Sequence, residues 1–184
     1  MDPSELLEHY KFKHEEDPLF SKGSSLFKFV PYIARVVEDN RVETILDYGC
    51  GKAFFWKWPY CNAILNRTQK SLTTTLYDPA IERRNVLPKG RFDLVICTDV
   101  LEHLHPDDTE EIVKRLIHYT RRHLFCCIGL TPAKKVFPDG TNLHTNLHSQ
   151  EWWEELFAKE IQNYENKHGT YITYKLSFND EVFV

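Results

Sequence analysis

Three short stretches of the sequence carry residues that suit ligand binding, and the first of them runs from Thr44 to Gly51. It reads T-I-L-D-Y-G-C-G, an apolar run that ends at Asp47 and two glycines on either side of Cys50. Glycine tolerates positive φ and leaves room for a ligand against the backbone, so this stretch predicts a strand that ends in a tight turn. Its D-x-G-x-G pattern differs from the G-x-G-x-x-G of dinucleotide-binding folds, which disfavours a nicotinamide cofactor.

The other two stretches also place polar side chains where an apolar run ends. Asp78 follows the threonine-rich and apolar run 72–77, and T-D-V-L-E-H at 98–103 follows the run F-D-L-V-I-C at 92–97. A continuous apolar run such as 92–97 is typical of a strand that is buried on both faces of a parallel sheet. Ligands of such sheets bind beyond the carboxyl ends of the strands. The three stretches should therefore converge on one edge.

Helices that would support this edge can be predicted from capping residues and apolar spacing. We interpret residues 1–40 as an N-terminal helical cap that packs on the sheet. In an alternative interpretation, residues 20–23 also form part of a lid over the glycine turn. The predicted helices lie at residues 4–11 with Ser4 as N-cap, from near Pro31 to Val37 after a looser turn, in at most two turns after Gly51, at 106–122, and after Ser149 as N-cap. The last of them turns Trp152, Trp153, Leu156 and Phe157 inward.

The predicted strands lie at residues 44–47, 72–77, 92–97 and 124–130, and residues 171–176 predict a closing antiparallel hairpin. Alternation of these strands with helices predicts an α/β fold, with a mostly parallel sheet and helices on both faces.

Composition limits the class of protein. With 184 residues, of which 42 % are hydrophobic, the chain suits a single domain over 1–184 with a proper core. A net charge of −4 gives no general attraction to nucleic acid. The five cysteines have no disulfide-framework spacing, the first residues do not resemble a signal peptide, and no apolar run reaches membrane-spanning length. We therefore expect a protein of the reducing cytoplasm.

Taken in order, I-L-D-Y-G-C-G, Asp78 and F-D-L-V-I-C-T-D-V-L-E-H-L resemble the class I S-adenosylmethionine-dependent methyltransferases, in a small form of the type 11 or type 12 kind. The resemblance covers about Phe20 to Val184 and implies a Rossmann-like fold with S-adenosylmethionine as cofactor. It places the glycine turn near the methionine part, Asp47 near the amino group and Asp78 at the ribose hydroxyls. The cofactor-binding residues that it implies are Asp47, Tyr48, Gly49, Cys50, Gly51, Asp78, Pro79, Thr98 and Asp99.

The sequence departs from this family between Asp78 and Phe92. The family usually has a helix and a further strand there, ending in an acid that contacts adenine, and residues 79–91 are too short for both. Either the sheet is a strand smaller, or adenine is held by other groups such as Ile81 or residues 54–58. The shortening also favours an alternative function, a cofactor-binding or degenerate non-catalytic interaction module.

The residues after the 92–97 strand narrow the choice of methyl acceptor. No D-P-P-Y-type tetrapeptide follows it, which disfavours amino-methylation of DNA bases, and no Pro-Cys nucleophile follows it, which disfavours cytosine C5 methylation. Cys97 lies within the strand and is predicted to be buried. We predict methyl transfer to a hydroxyl or amine of a small molecule or a modified nucleotide.

Glu102 and His103, with the later His144 or His148, form a second candidate set. The D-V-L-E-H stretch is similar to the E-x-x-E-H motif of ubiquinone-type O-methyltransferases and, with a later histidine, of RNA 3′-end methyltransferases, where the set holds a divalent ion. The similarity implies Glu102, His103 and His144 as catalytic residues. With Asp99, which stands where the motif has a glutamate, they would be ligands of Mg²⁺, Mn²⁺ or Zn²⁺.

Three further interpretations stay open from the sequence. In the simplest, Glu102 and His103 only begin a helix, His144 and His148 lie in a loop, and none of them has a chemical role. His103 or His144 would serve as a general base without metal. In a metal-dependent RNA 3′-end 2′-O-methyltransferase, phosphate contacts would come from basic pairs, which are Arg83-Arg84, Arg121-Arg122 and Lys134-Lys135.

Overall fold

A computed structural model of the chain describes residues 1–59 and 72–179. Its centre is a five-stranded, fully parallel sheet with the strand order β2-β1-β3-β4-β5. The strands are β1 (Thr44–Tyr48), β2 (Thr73–Tyr77), β3 (Phe92–Thr98), β4 (Thr120–Gly129) and β5 (Thr173–Asn179). The helices are α1 (Pro3–Glu16), α2 (Val30–Asp39), α3 (Phe54–Lys57), α4 (Thr109–Tyr119) and α5 (Gln150–His168), with 3₁₀ turns at Ser25–Phe29, Glu82–Arg84, Leu101–His103 and Pro106–Asp108.

Helices cover both faces of the sheet, as the sequence predicts. Every residue of β3 is buried, because its alternate side chains enter two different apolar clusters. Val95 and Cys97 pack with residues of α4 and α5 on one face. Leu94 and Ile96 pack with residues of α2 on the other. The central strand therefore anchors the edge at which the predicted site lies.

Several helix ends agree with the predicted signals. Pro31 lies in the first turn of α2, which follows a 3₁₀ turn. The Ser149 side chain accepts a hydrogen bond from the Trp152 N–H and caps α5. Trp152 itself is 37 % exposed and stacks on His148, so its predicted inward position is wrong.

Two helix boundaries differ from the prediction. The first is α1, which begins one residue earlier than predicted and ends at Glu16, because the side chain of Asp2, not of Ser4, caps it in a reciprocal capping box with Glu5. The second is α4, which ends at Tyr119. Arg121 and Arg122 therefore lie in β4, not at the end of a helix.

The C-terminal hairpin is the incorrect part of the predicted topology. The described residues of the tail form one strand, β5, which runs parallel to β4. A parallel neighbour needs a crossover connection, and α5 supplies it. At the other edge, residues 79–91 contain only the turn Glu82–Arg84, and β2 has a single partner strand among the described residues. Of the two possibilities left open by the sequence, the smaller sheet is the one that residues 1–59 and 72–179 form.

None of the described helices combines the length and the apolar character needed to cross a membrane.

Candidate functional site

A cavity of about 670 Å³ lies beyond the carboxyl ends of β1, β2 and β3. Eight of the nine predicted cofactor-binding residues line it, and Gly51 does not. The far wall is formed by the inner side of α1 and by residues 19–26, which include the lid segment predicted at 20–23. The convergence of the three stretches on one edge is therefore confirmed.

The two glycines of the turn after β1 allow other segments of the chain to approach closely. Gly49 has a φ of +78°, and a Cβ placed there would lie 2.3 Å from a methyl carbon of Val100. Gly51 has a φ of +54°, and its Cβ would lie 2.3 Å from the carbonyl oxygen of Ser21. Both positions therefore require glycine, for backbone conformation and for space.

Asp78 is a buried carboxylate that backbone donors hold in place. Its Oδ2 accepts the Gly51 N–H at 2.8 Å and its Oδ1 accepts the Ala80 N–H at 2.9 Å. Each oxygen of an ionised carboxylate can accept about two hydrogen bonds, so each retains a free lone pair. Asp78 lines the cavity, and a diol such as that of ribose fits this arrangement.

Asp47 is also buried at the end of β1, and its partner is Trp56, which the sequence predicts only within the candidate adenine-binding range 54–58. The indole Nε1 of Trp56 donates a 2.6 Å hydrogen bond to Asp47 Oδ2. Burial raises the pKa of Asp47 to about 7, although this hydrogen bond acts in the opposite direction. Phe54 and Trp58 are exposed, Phe55 belongs to the core, and neither residues 54–58 nor Ile81 line the cavity. Pro79 and Ala80 line it instead.

Asp99 lies at the cavity in a left-handed conformation, with a φ of +52°. Its Oδ2 accepts a hydrogen bond from the Ser25 hydroxyl, and its Oδ1 accepts one from Asn179 Nδ2 at 3.0 Å. These bonds connect it to β5 and to the turn before α2. Ser25 and Asn179 carry no motif that would have indicated this role.

Glu102, His103 and His144 come together as the sequence predicts, but without Asp99. Each side chain offers one atom that could bind a metal ion, and these three atoms lie within 4.8 Å of one another. Glu102 is 1 % exposed, and its Oε1 accepts the Gly129 N–H at 2.8 Å. Its Oε2 has no hydrogen-bond partner among the described residues. Burial, and then the charge of Asp99, raise the pKa of Glu102 to about 8.

Backbone carbonyls fix the tautomers of the two histidines. The Nδ1 atom of His103 lies 3.0 Å from the Leu143 carbonyl oxygen, and that of His144 lies 2.5 Å from the Thr131 carbonyl oxygen. A carbonyl only accepts, so each Nδ1 carries the proton and each Nε2 keeps a lone pair. Burial, and then His144, lower the pKa of His103 to about 4. His103 is therefore a weak proton acceptor and a neutral imidazole.

The turn that carries Glu102 is held by Asn146, which sequence reasoning missed. Asn146 is 1 % exposed, and its Nδ2 donates to the Leu101 carbonyl at 2.9 Å and to Thr109 Oγ1 at 2.8 Å. Its own N–H donates to the Glu102 carbonyl at 3.0 Å. His148 lies outside the set and contacts Asn146 Oδ1 at 3.0 Å.

The parallel α/β sheet has a glycine turn after β1, a buried acid after β2 and a cavity beside both, which is a Rossmann-like arrangement. The sequence matches the methyltransferase domain family over residues 23–174. The chain therefore belongs to that family and to the class I S-adenosylmethionine-dependent methyltransferases.

The chain is also similar to two solved structures from Burkholderia thailandensis. One is an O-methyltransferase family protein, with 15 % identity and a TM-score of 0.48. The match covers 76 % of this chain but only about half (51 %) of that protein. The other is 1,6-didemethyltoxoflavin-N1-methyltransferase with bound 1,6-didemethyltoxoflavin and S-adenosylhomocysteine. It has 14 % identity and a TM-score of 0.46, over 88 % of this chain and 80 % of that one. Comparison with curated proteins finds no sequence match.

Proposed function

We propose that the chain transfers the methyl group of S-adenosylmethionine to a hydroxyl or amine of a small molecule. The observation that carries the proposal is a single cavity that adjoins Asp78 and the glycine turn on one side and His103 on the other. When bound, S-adenosylmethionine supplies an electrophilic methyl group on a sulfonium. Asp78 offers two free lone pairs for ribose hydroxyls, and Asp47 offers a carboxylate beside the turn for an amino group.

The acceptor side of the cavity includes an apolar surface. Its wall includes Leu7 and Tyr10 of α1, together with Phe20 and Leu104. Such a wall excludes water and suits the carbon skeleton of a small acceptor, and a few polar groups would then fix its orientation. His103 is the residue of the predicted catalytic set that lines the cavity, and its Nε2 has a lone pair to accept a hydrogen bond from the acceptor.

Structural partners of the basic pairs favour a small acceptor over RNA. Arg121 and Arg122 contact Asp93 at 3.1 and 3.0 Å, near the start of β3 and at the opposite end of the sheet from the cavity. Arg84 donates to the Gly51 carbonyl at 2.5 Å. Lys135 contacts Asp17 at 3.3 Å.

The test is a calorimetric titration with S-adenosylhomocysteine, followed by transfer of a labelled methyl group from S-adenosylmethionine to a panel of hydroxyl and amine compounds. We expect micromolar binding and labelling of at least one small acceptor. No heat at millimolar ligand would contradict the proposal. Binding without transfer to any acceptor would instead favour the interaction-module alternative.

A second candidate function, methyl transfer assisted by a divalent ion, is favoured by the cluster of Glu102, His103 and His144. Two histidine Nε2 lone pairs and the unpartnered Glu102 Oε2 are available as ligands, and both Nδ1 atoms are oriented by carbonyls as is usual for metal-binding histidines. Two imidazoles and one carboxylate suit Zn²⁺ or Mn²⁺ better than Mg²⁺, which prefers oxygen ligands. Such an ion would lower the pKa of an acceptor hydroxyl.

Metal binding can be tested without knowledge of the acceptor. We expect the purified chain to bind one Co²⁺ or Zn²⁺, visible for Co²⁺ as a change in its absorption spectrum. E102Q and H144A should lose at least about tenfold in affinity, whereas H118A, which removes an exposed histidine of α4, should not. Equal binding by all four proteins would contradict this candidate.

We also propose that the protein resides in the reducing cytoplasm. The described cysteines Cys50, Cys97, Cys126 and Cys127 are buried free thiols, and Cys61 lies outside the described residues. Fractionation of cells that produce the protein would test this proposal, and recovery from an oxidising compartment would contradict it.

A further inference from the structure

We infer that His14, on the inner side of α1, is a further cofactor-binding residue that hydrogen-bonds a ribose hydroxyl opposite Asp78. The inference rests on the proposed cofactor site and adds to it a contact from the far wall of the cavity. Neither the sequence motifs nor the family resemblance indicates this residue.

The position of His14 points to a polar ligand. It lines the same cavity as Asp78, and its ring packs edge-on against Phe20 with the ring centroids 5.1 Å apart. Its Nδ1 is buried and has no hydrogen-bond partner among the described residues. A ligand in the cavity therefore does not reach Nδ1, and the other ring nitrogen, Nε2, which has no hydrogen-bond partner among the described residues, is the atom left to contact it.

Asp78 and His14 offer complementary chemistry to a diol. The Asp78 carboxylate only accepts hydrogen bonds, and its two oxygens already take one backbone N–H each. Burial lowers the pKa of His14 below its usual value. The negative charge of Asp78 raises this pKa, and the positive charge of Lys52 lowers it further. A neutral imidazole can donate to or accept from a hydroxyl. One hydroxyl can therefore donate to Asp78 and still contact His14.

Contacts on both sides of His14 hold α1 in this position. The Tyr10 hydroxyl donates to the Leu143 carbonyl at 2.6 Å. Beyond the end of the helix, Lys52 Nζ donates to the Asp17 carbonyl at 2.6 Å, and Lys135 contacts the Asp17 side chain at 3.3 Å. The helix that carries His14 thus also carries Tyr10 of the acceptor wall, so nucleoside binding and the acceptor wall share one element.

Adenosine, 2′-deoxyadenosine and 3′-deoxyadenosine are suitable probes, because they differ only in the hydroxyls at issue. Their affinities can be measured by competition against S-adenosylhomocysteine for the wild-type chain, H14A and H14Q. We expect H14A to weaken adenosine binding about three- to tenfold, as for one lost hydrogen bond. It should not weaken binding of the deoxynucleoside that lacks the contacted hydroxyl. H14Q, which keeps a donor and an acceptor, should recover part of the loss.

H9A is the matched control. His9 lies on the same helix and also has a buried Nδ1 without a partner among the described residues, but its ring packs against Phe137 and it does not line the cavity. Equal losses for all three nucleosides in H14A, or no loss at all, would overturn the inference while the cofactor site stands. A wild-type chain that binds neither S-adenosylhomocysteine nor adenosine would overturn the proposed function and the inference together.

Discussion

The backbone N–H of Gly51 donates a 2.8 Å hydrogen bond to the carboxylate of Asp78. This bond joins the turn after β1 to the end of β2. A second backbone donor, the Ala80 N–H, holds the other oxygen at 2.9 Å. The side chain of Asp78 is therefore oriented before any ligand arrives, which reduces the entropy that binding must lose.

The double backbone contact predicts that Asp78 tolerates neither truncation nor amidation. An asparagine would place its NH₂ group against one of the two backbone N–H donors, since an amide has only one acceptor oxygen. We expect D78A and D78N both to weaken S-adenosylhomocysteine binding by about tenfold or more in calorimetry, as for charge-assisted hydrogen bonds. D39N, which changes an exposed aspartate of α2, is the control. Wild-type affinity in D78N would contradict the assigned contact.

Gly49 gives a prediction about stability. In G49A the new methyl group would lie 2.3 Å from Val100 Cγ2, and alanine would have to adopt a φ of +78°. We expect a loss of about 2–4 kcal/mol in the free energy of unfolding, from backbone strain and from overpacking. Urea denaturation followed by circular dichroism would measure it.

The chain provides a control that separates the two causes. Gly140 has a φ of +86°, but a Cβ at this position would meet open space, so G140A should show the backbone strain alone, about 1 kcal/mol. The double variant G49A/V100A should regain only the part of the unfolding free energy that G49A loses through overpacking against Val100. A G49A protein no less stable than G140A would show that Val100 moves aside at no cost.

Tyr10 gives a prediction that separates the acceptor side from the cofactor side. Its hydroxyl lies 2.9 Å from His103 Nδ1 and donates to the Leu143 carbonyl. Y10F should shift the ring resonances of His103 in NMR spectra and cost about 1 kcal/mol of stability. It should change S-adenosylhomocysteine affinity less than H14A does, because the hydroxyl acts on the cofactor side only through the position of α1. Y171F, at a tyrosine that is 89 % exposed, should change none of these. Unchanged His103 resonances in Y10F would contradict the contact.

The parts of the site that lie on strand ends could be predicted from the sequence. A buried apolar run that stops at a polar residue marks the carboxyl end of a parallel strand, which is why Asp47, Asp78 and Asp99 could be placed at one edge. His144 could be paired with Glu102 and His103 only through a motif resemblance. Its place in the structure depends on the loop 131–148, whose path is set by hydrogen bonds such as Asn146 to Leu101.

Contacts between elements that are distant in sequence could not be predicted. Nothing in the local pattern near His14 indicates that α1 crosses the cavity, because that placement depends on Leu6 packing with Phe137 and Leu143. The direction of β5 likewise depends on α5 acting as a crossover, and a short β-rich run fits a hairpin equally well. The local pattern predicts Arg121 and Arg122 at the end of a helix. In the structure they lie in β4, after the β-branched Thr120, and both contact the carboxylate of Asp93.

Asp93 is a buried carboxylate at the start of β3 that connects three strands. Its Oδ2 accepts hydrogen bonds from the Glu43 N–H and from the N–H and hydroxyl of Thr44, each at 3.1 Å. Its Oδ1 contacts Arg121 and Arg122. Burial alone would raise the pKa of Asp93, but these hydrogen bonds together outweigh it and lower the pKa to about 2.

Because its folded-state pKa is depressed, Asp93 stabilises the protein above about pH 4 and loses this effect as the pH falls toward about 2. D93N cannot pair with the arginines, so we expect it to be about 1–2 kcal/mol less stable than wild type at pH 7. The effect is small because both arginines are about half exposed and solvent screens their charges. The difference should shrink between pH 4 and pH 2 in urea denaturation, whereas D39N should show no such trend. A constant difference across this range would mean that D93N acts through packing, not through the charge of Asp93.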